Sequence, residues 1–336
     1  MDNARIRAQF AGDSRRLRRP VDNPVTRSPL LWTTPPGGPG SRPPLRRPAA
    51  LVALAALAFG LGCSAPSSDP TAGPARRVVC LTPSSTELVV AVAGPGVIVG
   101  VDDYSAAEVA AVRGRPTVGD FLAPSLEAIL RLRPDLVVLD RVQTRVADGL
   151  RAAGVRALPL RMERVGDVAA GLRAVGDALG RRAEAAAAAA RLEAEIAAVR
   201  AEAARALGGR PPPRVLIVVD RELGGLGNLV AAGPNNYLDE LVALAGGVNV
   251  LADAPVAFPR ISVEEVLRRA PEVIIDAVHT ADQQRAAADW DVLATVPAVA
   301  TGRVHVLADT MYTHPGPRLA ESLRGLARRI HAPPRR

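Results

Sequence analysis

One segment of the chain occurs twice, at a constant offset of 137 residues. Residues 125–139 read SLEAILRLRPDLVVL and residues 262–276 read SVEEVLRRAPEVIID. Ser, Glu, Leu, Arg and Pro coincide in the two copies, and each copy has the pattern of a helix, a proline turn and a buried strand. A unit that recurs in this way predicts two lobes of related architecture.

Around the two copies, short apolar runs alternate with helical patterns. The strand-like runs cover residues 77–81, 97–101, 136–139 and 155–158 in the first half, and 215–219, 273–276 and 304–307 in the second. Helical patterns cover 84–92, 125–132, 142–153, 237–245, 263–269 and 318–330, and the first begins with a capping box of Ser84 and Glu87. This order predicts an α/β fold with two Rossmann-like lobes, mostly parallel sheets and a ligand cleft between the lobes.

The longest helical tract, in residues 165–207, separates the two halves. Its last part reads as one continuous helix that ends in a pair of glycines followed by three prolines. At 1.5 Å per residue this helix would be about 40 Å long, enough to run along both lobes as a brace. We therefore expect an N-terminal lobe at 76–180, a bracing linker helix at 181–208 and a C-terminal lobe at 213–331.

The net charge of +8 lies almost entirely in the first 62 residues, which hold ten arginines and only three acidic residues. The remaining chain is close to neutral, which argues against binding of nucleic acid, because phosphate contacts need a clustered basic surface. Within this leader, a basic flank precedes an apolar run at 49–61 that is too short to span a bilayer. Residues 1–62 are therefore predicted to be a disordered leader plus signal peptide, and the protein to be exported.

Cys63 directly follows the apolar run, in the sequence Gly-Cys-Ser. This arrangement resembles a bacterial lipoprotein signal, in which the cysteine is acylated after cleavage. An ordinary cleavage site after residues 56–58 is the competing interpretation, since Gly60 stands where a lipoprotein signal usually has Leu. Residues 63–75 read as a flexible tether, so we expect a membrane-anchored lipoprotein of the periplasm or cell envelope.

An enzyme on the same fold is the main alternative of another class. Residues 224–227 read GGLG, which lacks the full dinucleotide-binding fingerprint, and the chain has no lysine for a Walker motif. It also has no Gly-x-Ser-x-Gly sequence and only four scattered histidines, at 279, 305, 314 and 331. We therefore expect no catalysis, no intrinsic cofactor and no metal site built from protein ligands alone, with an unrecognised enzyme site left as the alternative.

Several short motifs together resemble one family. They are Arg77–Val79 with Leu81–Glu87, Val99–Val101, Val118–Gly119, residues 125–139, Gly233–Pro234 with Leu238–Leu241, Ala245–Gly247 with Asn249, Ser262–Pro271 and Pro315–Arg318. In order and spacing they resemble the substrate-binding proteins of ABC importers, in the rigid-helix class that binds cobalamin and ferric siderophores. The resemblance covers residues 76–331 and implies a permease dimer with ATPase subunits as partners.

The resemblance also implies that one glutamate on each lobe docks into arginine pockets of the permease. The family pattern places these residues at Glu127 and Glu264, which are the matched acids of the repeated segment. Two equivalent carboxylates suit a permease dimer with two equivalent basic pockets. The simpler interpretation is that Glu favours the N-terminus of a helix through its dipole, worth about 0.3–1 kcal/mol.

Aromatic residues are few outside the leader, and several follow strands or precede helices. In cobalamin-binding members of the family, aromatic residues at the places of Tyr104, Phe121 and Phe258 lie against the corrin ring, so the resemblance implies ligand contacts there. Tyr312, Ser84 and Arg318 are further candidates, although Arg318 could instead brace the last helix. Cobalamin is the favoured ligand and a ferric siderophore the next.

A haem-binding receptor of the same fold is a further alternative. Haem needs an axial ligand such as Tyr or His, and Tyr104, Tyr312 and His314 could supply one. His314 stands where the family often has Arg, which weakens the case for a siderophore clamp built from arginines.

Overall fold

Two sheets of mostly parallel strands follow one another along the chain. The computed structural model describes residues 73–278, 282–307 and 314–334, which belong to one compact unit that runs from Ser67 to Arg336. The predicted leader, Cys63, nearly all of the predicted tether and Tyr312 lie outside the described residues.

Strands and helices alternate through both halves of the described chain. The strands are β1 (Val78–Cys80), β2 (Ile98–Val101), β3 (Leu136–Asp140), β4 (Arg156–Leu160), β5 (Arg214–Asp220), β6 (Val230–Ala231), β7 (Val248–Asn249), β8 (Val273–Asp276) and β9 (Val304–Val306). The helices are α1 (Pro83–Ala93), α2 (Asp103–Glu108), α3 (Leu126–Arg131), α4 (Thr144–Ala152), α5 (Val165–Leu179), α6 (Arg182–Leu207), α7 (Tyr237–Leu244), α8 (Val263–Arg269), α9 (Gln283–Ala288), α10 (Pro297–Ala300) and α11 (Leu319–Ile330). Short 3₁₀ turns lie at Pro95–Val97, Ala110–Val112 and Asp289–Leu293.

The first sheet has four strands and the second has five, and their strand orders are related. The first sheet has the order β2-β1-β3-β4, and every neighbouring pair in it is parallel. In the second sheet β5, β8 and β9 are also parallel neighbours, and β7 pairs in parallel with the first residues of β5. Only β6 is antiparallel, against the last residues of β5. The predicted α/β fold with two lobes and mostly parallel sheets is confirmed.

Side chains alternate between the two faces of each sheet, as the strand pleat requires. In β1, Val78 joins a core that extends through both lobes, whereas Val79 joins a smaller core on the outer face of the first lobe. In β5, Val215 and Leu216 divide in the same way between the shared core and an outer core of the second lobe. Both sheets are therefore buried on both faces, which explains why their strands are continuous apolar runs.

One helix of 26 residues, α6, contacts both lobes. The predicted tract is divided at Gly180, which has a left-handed backbone with φ 66° and ends α5. Near the start of α6, Ala185 packs so closely against Gly176 of α5 that a Cβ on that glycine would lie 2.2 Å away. Near its end, Ala203 packs on the second lobe, close to Gly246. None of the helices in the described ranges is long and apolar enough to cross a bilayer.

The repeated segment has the same backbone in both lobes. Ser125 and Ser262 cap α3 and α8, and each hydroxyl accepts a hydrogen bond from the N–H three residues further on, at 3.2 and 3.3 Å. After each helix, Arg133 and Ala270 adopt positive φ angles of 48° and 43°, directly before a proline. The sequence repeat is therefore a structural repeat.

Contacts at the start of β1 and β5 extend this repeat beyond the sequence similarity. The guanidinium groups of Arg77 and Arg214, also 137 residues apart, donate to backbone carbonyls at the ends of α3 and α8, at 2.7 and 2.6 Å. The carboxylates of Asp135 and Glu272 accept hydrogen bonds from the backbone N–H groups of these same arginines, at 3.0 and 2.8 Å. Each lobe thus holds the amino end of its central strand with the same set of contacts.

The predicted capping box of Ser84 and Glu87 is wrong by two residues. Helix α1 begins at Pro83, and its N-cap is Thr82, whose hydroxyl accepts from the N–H of Ser85 at 3.1 Å. Ser85 returns the contact by accepting from the Thr82 N–H at 3.1 Å. Proline favours this register, because the first helical turn needs no N–H from it.

Candidate functional site

Tyr104 lies at the carboxyl end of β2, at the start of α2, with 53% of its surface exposed. The buried Asp102 side chain caps this helix by accepting from the N–H groups of Tyr104 and Ser105, at 3.1 and 3.2 Å. The Ser105 hydroxyl also donates to Asp102 and lies 2.8 Å from the hydroxyl of Thr86. Burial raises the pKa of Asp102, and the hydrogen bonds from Ser105 oppose that shift. This buried network fixes the direction of the helix that presents Tyr104.

Phe121 lies in a loop beside the same end of the sheet and is partly buried. The N–H of Asp103 donates to the carbonyl of Gly119 at 3.0 Å, which joins the Phe121 loop to the Tyr104 helix. Gln143 joins the loop to the end of β3, because its amide donates to the Phe121 carbonyl at 2.9 Å and accepts from the Asp140 N–H at 3.0 Å. The structure thus brings Tyr104 and Phe121 to one edge of the first lobe.

A cavity of about 540 Å³ opens beside this loop. Its lining is mostly apolar and comes from the Phe121 loop and the beginning of α4. The lining residues are Phe121, Leu122, Ala123, Pro124, Leu126, Val142, Gln143, Thr144, Arg145 and Val146. Leu122 and Val142 are 88% and 61% exposed, so two large apolar side chains of the cavity lining are in contact with solvent. Sequence reasoning identified Phe121 but missed the rest of this cavity.

Phe258 lies on the second lobe and is 46% exposed. Its segment runs beside β6, where the N–H of Gly233 donates to the Ala257 carbonyl at 2.8 Å and the Asn236 amide donates to the same carbonyl, also at 2.8 Å. Because β6 pairs with β5 on one side and with this segment on the other, Phe258 lies at an edge of the second sheet. Exposed aromatic residues therefore occur at the carboxyl end of a strand in the first lobe and at a sheet edge in the second.

A buried ion-pair network at the carboxyl ends of β5 and β8 was missed by sequence reasoning. The Arg221 guanidinium pairs with Asp276 and with Asp289, at 2.8 Å each, and the side chains of Arg221 and Asp276 have no exposed surface. The indole N–H of Trp290 donates to Asp276 at 2.8 Å. One signal was available, since the second copy of the repeat ends in Asp276 where the first ends in Leu139.

The two lobes meet at an ion pair between Glu87 of α1 and Arg318, with 3.3 Å between Oε1 and Nη2. Gly316 allows this approach, because a Cβ at that position would lie 2.2 Å from Glu87 Oε2. Burial raises the pKa of Glu87, and Arg318 opposes the shift. His314 lines the same small pocket, whereas Ser84 is buried in the first turn of α1. A ligand contact by Arg318 or Ser84 stays a prediction.

The two predicted docking residues occupy equivalent places at the starts of α3 and α8. Glu127 is exposed and pairs with Arg131 one turn along the helix, at 2.6 Å. Glu264 is also exposed, and hydrogen bonds from Ser262 and from its own backbone lower its pKa. Both carboxylates are therefore accessible to a partner, one on each lobe.

No group of three or more His, Cys, Asp or Glu side chains in the described ranges could hold a metal ion. Cys80 is buried in β1, and burial raises the pKa of its thiol well above the usual value. It is therefore a small core residue in its present surroundings.

Comparison with known proteins identifies the family. The periplasmic binding protein family matches residues 78–310, which is more than half of the chain. The chain belongs to this family. A cobalamin-binding protein of Halobacterium salinarum is 26% identical over 297 residues, which cover 80% of this chain and 75% of the relative. The relatives are binding proteins, and the family implies an exported, periplasmic location and a role as substrate-binding component of an ABC importer.

Two solved structures have the same fold. A periplasmic haem-binding protein from Roseiflexus sp. RS-1 is 30% identical, with a TM-score of 0.66, and the match covers 77% of this chain and 98% of that one. The periplasmic vitamin B12-binding protein of Vibrio cholerae is 22% identical, with a TM-score of 0.66, covering 76% and 97%. At 22% identity, the likeness to the vitamin B12-binding protein shows a shared fold and nothing more.

Proposed function

We propose that this protein captures a large metal chelate, with cobalamin as the first candidate, and delivers it to an ABC importer. One observation carries the proposal: both lobes expose an aromatic side chain, Tyr104 at the carboxyl end of a parallel strand and Phe258 at a sheet edge. Ligands of open α/β sheets bind outside the carboxyl ends of the strands, and an aromatic face can stack on a flat ring. Tyr104 and Phe258 are about half exposed, so they are available for such contacts.

Two kinds of relative support a tetrapyrrole as the ligand. The cobalamin-binding protein of Halobacterium salinarum is related over most of this chain. The haem-binding protein from Roseiflexus is related at a similar identity, so haem is the second candidate. Tyr104 specifically favours that alternative, because an exposed phenol can ligate haem iron. A ferric siderophore is the third candidate.

Titration of the unit from Ser67 to Arg336 with cyanocobalamin, haemin and ferrichrome tests the ligand. Absorbance reports the chelate, and fluorescence reports Trp290, the only tryptophan after the leader. We expect saturable binding of cyanocobalamin at micromolar concentration or below. Binding of haemin alone would favour the second candidate, and binding of none of the three would overturn the proposal.

Paired variants test the proposed contacts. Tyr104→Ala and Phe258→Ala should each weaken binding about tenfold, since loss of one stacked aromatic group costs on the order of 1–1.5 kcal/mol. Val248→Ala is the matched control, because Val248 has the same exposed fraction as Phe258 but lies where β7 pairs with the start of β5. Equal affinities in all three variants would exclude the aromatic contacts.

Delivery is proposed to depend on Glu127 and Glu264. Their accessibility and equivalent positions on the repeat support docking onto a two-fold permease. The double variant Glu127→Arg with Glu264→Arg should bind ligand normally but abolish uptake of radiolabelled ligand by cells that depend on this protein. Glu202→Arg, on the exposed side of α6, is the control. Normal uptake by the double variant would exclude the docking role.

A lipid anchor on Cys63 is proposed to hold the exported protein at the membrane. The sequence Gly-Cys-Ser after the apolar run supports it. Mass spectrometry of the exported protein should show an acylated N-terminal cysteine, and Cys63→Ser should move the protein from the membrane fraction to the soluble one. An unmodified N-terminus at Phe59 would identify an ordinary signal peptide instead.

A further inference from the structure

The cavity beside the Phe121 loop has one cation in an otherwise uncharged lining. Arg145 lies in the first turn of α4 and is exposed, and no acidic side chain is among the residues that line the cavity. Among the residues that the structure describes, no carboxylate forms an ion pair with Arg145. An arginine without a counter-ion beside an apolar surface can bind an external anion, because the guanidinium offers several N–H donors and stays charged at all ordinary pH values.

Other arginines of the same region are already paired. Arg151, two turns along α4, pairs with Asp148 at 2.7 Å, and Arg141, just after β3, pairs with Glu163 at 2.7 Å. Arg145 therefore differs from these two arginines in having no ion-pair partner among the described residues, and it lies beside a cavity.

The walls of the cavity are fixed by the fold. The Gln143 side chain joins the Phe121 loop to the end of β3, and the carboxylate of Asp120 accepts from the N–H groups of Leu122 and Ala123, at 2.8 and 2.7 Å. Both loops that line the cavity thus hold their shape through internal hydrogen bonds. A preformed site of this kind loses little conformational entropy when it binds a ligand.

We infer that Arg145 selects ligands that carry an anionic group, phosphate or carboxylate, at the rim of the chelate, while the apolar walls receive the adjoining part of the ring. This inference rests on the proposed function and specifies the ligand further. Cobalamin supplies such a group as the phosphodiester of its nucleotide loop, and haem supplies it as propionate carboxylates. Either group would replace water on Arg145 with a charge-assisted hydrogen bond.

Matched ligand pairs test the charge directly. Cobalamin is compared with cobinamide, which lacks the phosphate-bearing loop, and haemin is compared with its dimethyl ester. For whichever pair binds, Arg145→Gln should weaken binding of the member that carries the anionic group about tenfold and that of the member that lacks it less than about twofold, as expected for one charge-assisted hydrogen bond. Arg145→Lys should restore part of the loss, and Arg151→Gln is the control on the same helix.

Each outcome decides a different point. An equal loss for both members of a pair, or no loss for either, would overturn the role of Arg145 while leaving the proposed function in place. Lost uptake with unchanged binding would also overturn it, since Arg145 would then act in docking. If the unaltered protein bound none of the four compounds, the proposed function and this inference would both be wrong.

Discussion

The two lobes hold the amino ends of their strands in the same way and the carboxyl ends in different ways. At the amino ends, Arg77 with Asp135 and Arg214 with Glu272 make equivalent contacts in the two copies of the repeat. At the carboxyl ends, the first lobe has a network of hydroxyl groups around Asp102, whereas the second has the fully buried pair of Arg221 and Asp276.

The shared contacts support the fold, whereas the contacts that differ lie near the proposed ligand site. The arginine and carboxylate contacts that the copies share lie at the amino ends of the strands, away from the proposed ligand site, and they keep each central strand aligned with its neighbouring helix. The contacts that differ lie beneath Tyr104 in one lobe and beside the β5 end in the other, where a ligand would bind. The two lobes therefore share one set of supporting contacts and carry different groups at the proposed site.

The largest effect should come from the charge pair at the carboxyl end of the second lobe. Arg221→Met leaves Asp276 buried without its cation, which should lower the free energy of unfolding by about 3–5 kcal/mol. Urea denaturation followed by Trp290 fluorescence measures this, since the indole donates to Asp276. Arg214→Met, at the exposed amino end of the same strand, is the control.

The control should lose only about 1 kcal/mol, because the Arg269 carbonyl that loses the guanidinium donor is exposed and can accept a hydrogen bond from water instead. Equal losses for Arg221→Met and Arg214→Met would show that the buried network contributes no more to the free energy of unfolding than the exposed contacts of Arg214.

A smaller and equal effect is expected at the helix N-caps that the two copies share. Ser125→Ala and Ser262→Ala each remove one N-cap hydrogen bond, which should cost about 1 kcal/mol in either lobe. Denaturation of both variants side by side measures the difference. Losses that differ by more than about 1 kcal/mol would mean that the two copies are alike in geometry but not in energetics.

The smallest effect is a pH dependence where the lobes meet. The pKa of Glu87 is raised above its ordinary value of 4.5, mainly by burial, with Arg318 opposing the shift and Glu321 adding to it. The stability that a proton on Glu87 contributes is present below pH 4.5 and is lost as the pH rises through the folded pKa. Glu87→Gln should therefore gain stability relative to the unaltered protein as the pH is raised from below 4.5 towards neutrality, where the buried carboxyl group must ionise.

Thermal unfolding of both proteins across this pH range measures the gain, and Glu202→Gln provides a control on the exposed side of α6. Parallel profiles for Glu87→Gln and the unaltered protein would show that the carboxyl group does not titrate differently in the folded state.

Local patterns predicted the frame of this molecule well. The apolar runs predicted the main strands, and the repeat predicted α8 with its observed bounds, because these features depend on residues close together in the sequence. The short elements α2, β6 and β7 were missed, since two to six residues carry too little periodicity to recognise.

Contacts between distant residues could not be predicted in this way. Arg221 and Asp276 are 55 residues apart, and Glu87 and Arg318 are 231 apart, so neither pair has a local signal. Phe121 was identified only through a family resemblance, and its neighbour Arg145 was not identified at all. Which charges are left without partners depends on every ion pair nearby, and that is a property of the folded chain.

Helix α6 has one further consequence for transport. Because a single continuous helix packs on both lobes, the distance between Glu127 and Glu264 should change little when a ligand enters. If these carboxylates dock as proposed, an empty receptor would then fit the importer about as well as a loaded one. Empty copies would compete for the permease, so uptake would depend on the fraction of receptors that are filled as well as on their number.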